Sequence, residues 1–153
     1  MSDTSTDGTY RVVLVQCTGS KRDEPAAARD LYDVSDYFRK QRGYARARAD
    51  RWFVQSAEHG LLRPDDRVEP YDTHARDIDD PEAWGEKIAA ELDALVPDEA
   101  VIEILGGRSY ADPLVPELEV RGYEVLEPTR GKKIGERKAW LMRSVDASLE
   151  GYA

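Results

Sequence analysis

The sequence predicts an α/β protein, specifically a three-layer α/β/α sandwich around a mainly parallel four-stranded sheet. Two observations predict this class. Short β-branched and apolar runs alternate with longer segments of helical periodicity, and strands separated by helices favour parallel pairing with helices on both faces of the sheet. The 153 residues also suffice for one domain, since a chain of this length buries about two thirds of its surface on folding.

Four strands are predicted, each a short apolar run that stops at a turn. They cover residues 11–16, 52–57, 100–105 and 123–126. The turn after the second strand contains His59 and Gly60, and Gly106 with Gly107 breaks the third. Bounded runs of this length are typical of buried strands.

Four helices are predicted from their caps and their apolar spacing. They run from the cap Ser35 to about residue 49, from Asp80 to Pro97, from about residue 109 to 121, and from 134 to about 149. Asp80 followed by Pro81 is a typical helix start, and Gly122 is a typical helix end. Residues 58–79 are predicted to be the only long irregular stretch.

The composition predicts one cytoplasmic domain over residues 10–153 after a disordered lead-in over residues 1–9. The single cysteine excludes an internal disulfide, and the chain contains no run of the ~18 apolar residues that a membrane helix needs. We therefore expect no membrane partner, and the oligomeric state is left open. The net charge of −9, with 16 Arg and only 6 Lys, is typical of proteins that stay soluble at high salt, as in halophiles.

Two basic stretches stand out against this acidic background. Residues 39–51 and residues 129–143 each hold six basic residues and one acidic residue, a net charge of +5. Such segregation is typical of a phosphate-binding surface on an acidic protein. The alternative is a pair of amphipathic helices whose solvated faces are rich in arginine.

Three of the four predicted strands end in unusual loops. In an open parallel sheet such loops meet at one edge, which is where ligands bind. In the first loop Cys17 is followed by Thr18, Gly19, Ser20 and Lys21. These residues supply backbone N–H groups, hydroxyls and a cation, which suit an anion or a nucleobase. The loop lacks the spacing of a Walker phosphate-binding loop.

The other two loops add further candidates for the same edge. Ser56 opens the second loop, and Gly106, Gly107 and Arg108 open the third. The third loop lacks the GxGxxG pattern, so its glycines indicate only a close approach of the backbone. We expect one concave site to be surrounded by Cys17, Lys21, Ser56, Tyr71 and Gly106.

The segments CTGSK and LYDVS carry a family resemblance. They place Cys17, Lys21, Tyr32 and Ser35 in a pattern that resembles the CSxxKPYSxS signature in the middle domain of archaeosine synthase, a tRNA-modifying enzyme of archaea. The segment VQSAEHGLLRPDDRVEPYD continues the likeness, and small uncharacterised proteins of archaea, bacteria and phages share this form. The resemblance covers roughly residues 11–128.

This resemblance implies a sandwich similar to that of uracil-DNA glycosylases, distantly comparable with the peroxide-stress protein YaaA family. It also implies that Tyr32 and Ser35 join Cys17 and Lys21 in the substrate site. The water-activating GQDPY motif of uracil-DNA glycosylases is absent from this sequence, so their hydrolytic mechanism is not carried over.

Several candidate residues have a structural interpretation beside the functional one. Cys17 is either a nucleophile or a small buried hydrophobe, and Ser56 either contacts a ligand or closes its turn through a backbone hydrogen bond. His59 beside Glu58 suggests a general-base pair, although adjacent residues at a turn usually point apart. His74 is predicted to face solvent. Two histidines and one cysteine at unmatched spacing do not favour a metal site, and no cofactor is expected.

Tyr71 and Asp72 are the pair with the clearest chemical use. An aromatic ring beside a carboxylate can stack a base while the carboxylate accepts from ring nitrogens or stabilises a sugar oxocarbenium ion. The alternative is a plain turn in which Asp72 caps the following segment.

These observations lead to the hypothesis of a nucleic-acid- or nucleotide-binding protein that acts on a base or on its N-glycosidic bond. Lys21 would hold phosphate or ribose, Tyr71 would stack the base, and Asp72 with Cys17 would carry the chemistry. One alternative is a non-catalytic nucleic-acid or nucleotide-binding module related to stress or phage defence, and another is a transferase with a reactive Cys17. An enzyme is expected to bury a carboxylate near Cys17 and Lys21, whereas a binding module can line the cleft with arginine and aromatic residues.

Overall fold

The structure, a computed structural model, describes the backbone of residues 8–150 and the side chains of residues 8–145. The predicted lead-in over residues 1–9 lies outside the described residues, apart from Gly8 and Thr9. The same holds for the side chain of Leu149, which the sequence places on the apolar stripe of the last helix.

A five-stranded sheet forms the centre of the molecule. Its strands are β1 (Arg11–Gln16), β3 (Arg51–Ser56), β4 (Gly60–Leu62), β6 (Val101–Ile104) and β7 (Glu124–Leu126), and a separate antiparallel pair is formed by β2 (Ala26–Ala27) and β5 (Arg67–Val68). The order across the large sheet is β4-β3-β1-β6-β7, and all neighbours except β3 and β4 are parallel. The prediction of an α/β fold with a mainly parallel sheet is therefore confirmed.

The predicted number of four strands is wrong, because a fifth strand lies within the stretch that was expected to be irregular. β4 pairs antiparallel with β3, with Leu62 opposite Val54. Gly60 begins the strand at a φ of +76°, a conformation that lets the chain turn back at once. A run of three residues is too short to show the periodicity by which strands are predicted. The same stretch also holds β5 and a 3₁₀ turn at Ala75–Asp77.

Five helices connect the strands in the described part of the chain. They are α1 (Ala28–Leu31), α2 (Asp36–Arg48), α3 (Pro81–Leu95), α4 (Arg108–Val120) and α5 (Ile134–Glu150). The predicted caps are confirmed. Ser35 Oγ accepts the Phe38 N–H at 3.1 Å, and Asp80 Oδ1 accepts the Ala83 N–H at 3.1 Å. Each bond satisfies one of the free N–H groups at a helix start.

Helices cover both faces of the sheet. Val12–Val15 in β1 are four consecutive residues with no exposed surface, which requires packing on both sides of the strand. α2 packs against α5 and β1, whereas α3 packs against α4. Gly85 allows the second contact, since a Cβ there would lie 2.7 Å from the carbonyl carbon of Pro113. Because crossovers between parallel strands are right-handed, the two helix pairs lie on opposite faces.

The two connections that start at the centre of the sheet run in opposite directions. From β1 the chain passes through α2 to β3, and from the neighbouring β6 it passes through α4 to β7. The loops after β1 and β6 therefore diverge, leaving a crevice at the carboxyl ends of these two strands. Open α/β sheets bind their ligands at such a switch point. No helix in the described part of the chain has the length and apolar character needed to cross a membrane.

Candidate functional site

A cleft of about 430 Å³ opens at the carboxyl ends of β1 and β6, and we call it the switch-point cleft. Five elements meet around it: the end of β1 with the loop after it, the start of α2, the segment around the 3₁₀ turn, the start of α4 and the start of α5. The lining residues are Gln16, Cys17, Thr18, Gly19, Tyr37, His74, Ala75, Arg76, Ser109, Tyr110, Ile134 and Arg137. Most of them carry polar, aromatic or cationic side chains, which suit a polar ligand.

Gln16 is held in one orientation at the end of β1. Its backbone N–H donates to Gln41 Oε1 at 2.7 Å, and Gln41 Nε2 returns a bond to the Gln16 carbonyl at 3.2 Å. The Gly107 N–H donates to Gln16 Oε1 at 2.7 Å. The acceptor end of the amide is thus occupied, while Gln16 Nε2 has no bond to the described residues and is free to donate to a ligand.

Cys17 and Tyr110 form a buried polar pair in the cleft. Cys17 Sγ lies 3.3 Å from Tyr110 Oη, and the cysteine is 4% exposed. Burial raises the pKa of Tyr110, and the nearby Cys17 raises it further. The phenol therefore stays protonated at neutral pH, and either the hydroxyl or the thiol donates in this contact. No imidazole of the described residues bonds to this sulfur, so the geometry gives Cys17 no base that would activate it.

A second buried cluster, the Tyr71 cluster, consists of Tyr32, Ser56 and Tyr71. Tyr71 Oη lies 2.7 Å from both Tyr32 Oη and Ser56 Oγ. Ser56 has no exposed surface and also accepts the His59 N–H at 3.0 Å, so the turn-closing interpretation of Ser56 is confirmed. Burial raises the pKa of Tyr32 and of Tyr71, which keeps both phenols neutral.

Base stacking requires an open ring face, and the face of the Tyr71 ring on the side of Lys21 is covered. Lys21 Nζ lies 4.4 Å from the centroid of that ring and donates to the Gly19 carbonyl at 3.3 Å. The His59 ring meets Tyr71 edge to face at 5.2 Å. Tyr71 thus has a packing role that its place on a polar loop did not indicate.

The candidate carboxylates lie outside the cleft. The Asp72 side chain is 94% exposed, and its Oδ1 lies 3.2 Å from Nε2 of His74, which does line the cleft. Glu58 accepts the Thr73 hydroxyl, while the His59 ring packs against Tyr71, so these neighbours do not act as a pair. Asp72 is therefore placed at the rim in water.

Glu103 is the one carboxylate residue classed as buried in the described part of the chain. It lies opposite Val13 in the middle of the sheet, away from the carboxyl edge. It accepts a hydrogen bond from Tyr44 and an ion-paired bond from Arg11 at 3.1 Å. These partners compensate the buried charge, which identifies a structural role for Glu103.

A smaller cavity of about 350 Å³ adjoins the switch-point cleft, and we call it the cation cavity. It lies among the end of β6, the start of α4, the loop after β7 and the start of α5. Its lining residues are Ile104, Gly106, Gly107, Arg108, Glu127, Arg130, Gly131, Lys132 and Arg137. Four cationic side chains thus surround one carboxylate.

The cations of this cavity differ in their internal partners. Arg130 pairs with Glu127 at 2.6 Å and with Asp112 at 3.2 Å. Arg108, Lys132 and Arg137 have no carboxylate partner among the described residues. Three positive charges therefore remain uncompensated around one cavity.

Arg137 joins the two spaces, because it lines both of them. Its Nε donates to the Lys132 carbonyl at 2.9 Å, and its NH1 donates to Tyr37 Oη at 3.5 Å. These bonds hold the guanidinium between the loop after β7 and α2. A ligand in the cleft can therefore reach the cation cavity across Arg137.

The two basic stretches lie side by side, since α2 packs against α5. Asp36 binds Lys40 at 2.6 Å and Lys138 at 3.2 Å, and Arg42 lies 3.5 Å from Asp30. Three cations of the first stretch, Arg39, Lys40 and Arg42, therefore contact a carboxylate, whereas Arg46, Arg48 and Arg51 have no carboxylate partner among the described residues. The uncompensated cations of the second stretch lie near the start of α5, beside the cation cavity.

The structure divides the residues predicted for one site among several places. Cys17, Thr18 and Gly19 line the cleft, and Gly106, Gly107 and Arg108 line the cation cavity. The Tyr71 cluster contains Tyr32, Ser56 and Tyr71, and Lys21 and His59 pack against it. Ser20 lines an outer depression, Ser35 caps α2, and Gly60 begins β4. The predicted site residues lie toward the same edge of the sheet, but no one cavity contains all of them.

Sequence reasoning missed Gln16, Tyr37, Tyr110 and Arg137 as cleft residues. It also placed His74 in solvent but did not predict that this side chain, with 37% of its surface exposed, lines the cleft. Tyr110 follows Gly106 and Gly107 closely, so its position just after a predicted strand could have indicated that it lies in the cleft. The described residues contain no group of three or more His, Cys, Asp or Glu side chains arranged to hold a metal ion.

Comparison with known proteins identifies a family but no characterised relative. Neither the curated proteins nor the solved structures include a match to this chain. A family model described as a family of unknown function, DUF6884, matches residues 12–143, a span that begins in β1 and ends within α5. It includes every residue that lines the switch-point cleft and the cation cavity. The chain therefore belongs to the DUF6884 family.

Proposed function

We propose that the protein binds a nucleotide or a nucleic acid at the switch-point cleft, with a phosphate group in the adjoining cation cavity. The observation that carries this proposal is the set of three cations, Arg108, Lys132 and Arg137, that surround one cavity without a carboxylate partner among the described residues. On a protein with a net charge of −9, such a concentration of unpaired positive charge favours an anionic ligand.

Phosphate is the anion that these groups suit best. Two of the three cations are arginines, whose planar guanidinium groups bind phosphate through paired hydrogen bonds. The cavity also meets the start of α4, where free backbone N–H groups and the helix dipole add to the attraction for an anion. The flanking glycines, Gly106 and Gly107, leave the backbone accessible.

The switch-point cleft suits the base of such a ligand. Gln16 presents an amide donor, Tyr37 and Tyr110 present hydroxyl groups, and His74 adds a ring nitrogen. Burial raises the pKa of Tyr37 and of Tyr110, so both phenols keep the proton that allows them to donate. Bases are recognised through donors and acceptors of this kind and by contact with aromatic side chains.

The same geometry favours binding over catalysis. A cleft lined by arginine and aromatic side chains was the arrangement expected of a binding module, and Asp72, the proposed catalytic carboxylate, is 94% exposed. Action on a base or an N-glycosidic bond stays a prediction that rests on the family resemblance. The uracil-DNA-glycosylase-like form of the sandwich also stays a prediction from that resemblance, and a mainly parallel sheet covered by two helix pairs is compatible with it. The cytoplasmic location stays a prediction from the composition.

Titration of fluorescently labelled single-stranded DNA and RNA, with nucleotides as competitors, tests the proposal. We expect binding at low salt that Lys132→Gln and Arg137→Gln each weaken by about ten- to hundredfold, the effect of losing a hydrogen bond to a charged group. Arg143→Gln is the matched control, because this arginine lies on α5 but lines neither the cleft nor the cation cavity. Absence of binding to every probe, or equal losses in all three variants, would refute the proposal.

A further inference from the structure

We infer that the ligand is held by a terminal phosphate group, a phosphate monoester or a diphosphate, and not by an internal phosphodiester of a continuous strand. This inference rests on the proposed function and specifies which class of nucleotide or nucleic-acid ligand the site accepts. It follows from the charge, the shape and the size of the cation cavity.

The charge of the cavity exceeds what one phosphodiester can balance. Arg108, Lys132 and Arg137 are uncompensated, while Arg130 is already paired with two carboxylates. An internal phosphodiester carries a single negative charge, whereas a phosphate monoester carries roughly −1.5 to −2 at pH 7 and offers three acceptor oxygens. A terminal group therefore neutralises more of this positive charge and engages more of the available donors.

The shape of the cavity connects it with the cleft. Four elements bound it: the end of β6 with Ile104, the first turn of α4, the loop that contains Arg130 and Lys132, and the first turn of α5. Arg137 lines both spaces, so a ligand seated in the cleft can place the phosphate at its end within this cavity.

The size of the cavity points the same way. A volume of about 350 Å³ is near the lower limit of ligand pockets, which run from about 300 to 1,000 Å³. The cavity therefore holds the phosphate end, and the nucleoside extends into the 430 Å³ of the switch-point cleft.

Gly107 controls the space between the two. A Cβ at this position would lie 3.4 Å from Arg137 NH2 and 3.9 Å from Gln16 Oε1, so a larger side chain would enter the gap between these groups. Its φ of −99° is one that any residue adopts, which makes the absence of a side chain a matter of space and not of backbone conformation.

The test compares oligonucleotides of one sequence that carry a 5′-phosphate, a 3′-phosphate or hydroxyl groups at both ends. We expect the protein to bind one phosphorylated form at least tenfold more tightly than the form with two hydroxyl ends, and a nucleoside monophosphate to compete where the nucleoside does not. Lys132→Gln and Gly107→Val should abolish this preference while Arg143→Gln retains it. Circular dichroism establishes that each variant is folded.

The possible results separate the two proposals. Equal affinity for the phosphorylated and unphosphorylated oligonucleotides would overturn the terminal-phosphate inference and leave the proposed function standing. A preference that persists unchanged in folded Lys132→Gln and Gly107→Val would also overturn it, because the phosphate would then be recognised elsewhere. Failure of every probe to bind would overturn both proposals.

Discussion

Gly106 and Gly107 are adjacent, yet substitution by alanine should destabilise the protein at the first position and have little effect at the second. Gly106 has a φ of +105°, and a Cβ there would lie 2.8 Å from Gln16 Cβ and 3.0 Å from Gln16 Cδ. Gly107 has a φ of −99°, and its new methyl group would lie 3.4 Å from NH2 at the end of the Arg137 side chain and 3.9 Å from Gln16 Oε1. The first change therefore strains the chain where two strands end, and the second does not.

The cost of Gly106→Ala has two parts. Holding a non-glycine residue at a strongly positive φ costs about 1–2 kcal/mol. Gln16 must also move, since the contact includes its Cβ and a change of rotamer cannot relieve it. That movement breaks the bond from the Gly107 N–H and leaves partly buried polar groups unpaired, which costs about 1–3 kcal/mol. The free energy of unfolding should fall by roughly 2–5 kcal/mol in total.

Urea and thermal unfolding followed by circular dichroism measure this difference. For a chain of this size we expect the midpoint temperature of Gly106→Ala to fall by roughly 5–15 °C, and the free energy of unfolding of Gly107→Ala to stay within about 0.5 kcal/mol of the unsubstituted protein. Equal stability of the two variants would refute the reasoning, because it would mean that Gln16 and Gly106 do not make the contact described.

Three further predictions concern stability. Tyr71→Phe should lower the free energy of unfolding by about 1–3 kcal/mol, because the Tyr32 hydroxyl loses its 2.7 Å partner; no loss in urea unfolding would contradict this contact. Burial raises the pKa of Tyr32 and of Tyr44, so these tyrosines ionise at lower pH in the unfolded chain than in the folded protein. The free energy of unfolding should therefore be constant below pH ~10 and fall above it by about 1.4 kcal/mol per pH unit for each tyrosine. A free energy of unfolding that does not change at alkaline pH would contradict this prediction. Gly43→Ala in α2, where a Cβ meets nothing within 4 Å, should raise the unfolding free energy by about 0.4–1 kcal/mol; a decrease would indicate crowding.

The parts of the fold that the sequence predicts correctly are those with local signals. Asp80 and Pro81 mark the start of α3 because a cap and a proline act within one helical turn. The central strands β1, β3 and β6 are predictable because they are largely buried and read as mainly apolar runs. β2, β4 and β5 have two or three residues each, too few to show a periodic pattern, and the pairing of β2 with β5 also joins segments that are distant in sequence.

The site is harder to predict, because its chemistry depends on which partners each side chain meets. Tyr71 and Asp72 are neighbours in sequence, but the Tyr71 ring packs into the Tyr71 cluster, whereas the Asp72 carboxylate lies in water. His74, predicted to face solvent, lies against the cleft because its segment folds back over the loop after β1: its Cε1 lies 3.5 Å from where a Cβ on Gly19 would be. Such placements follow from the path of residues 58–79, which had no periodic signal.

The two basic stretches show why a count of charges is not enough to locate a binding surface. Each holds a net charge of +5 in the sequence, yet Asp36 and Asp30 bind cations of the first stretch within the folded protein. A cation that already contacts a carboxylate gains little from a phosphate, because the new contact replaces an existing one. Lys132 and Arg137 in the second stretch have no such partner among the described residues, and both line the cation cavity. Arg46, Arg48 and Arg51 of the first stretch also lack such a partner among the described residues, but they line neither the cleft nor the cation cavity. Lys132 and Arg137 are therefore the cations of these stretches that combine an unpaired charge with a place at the crevice to which the strand order points.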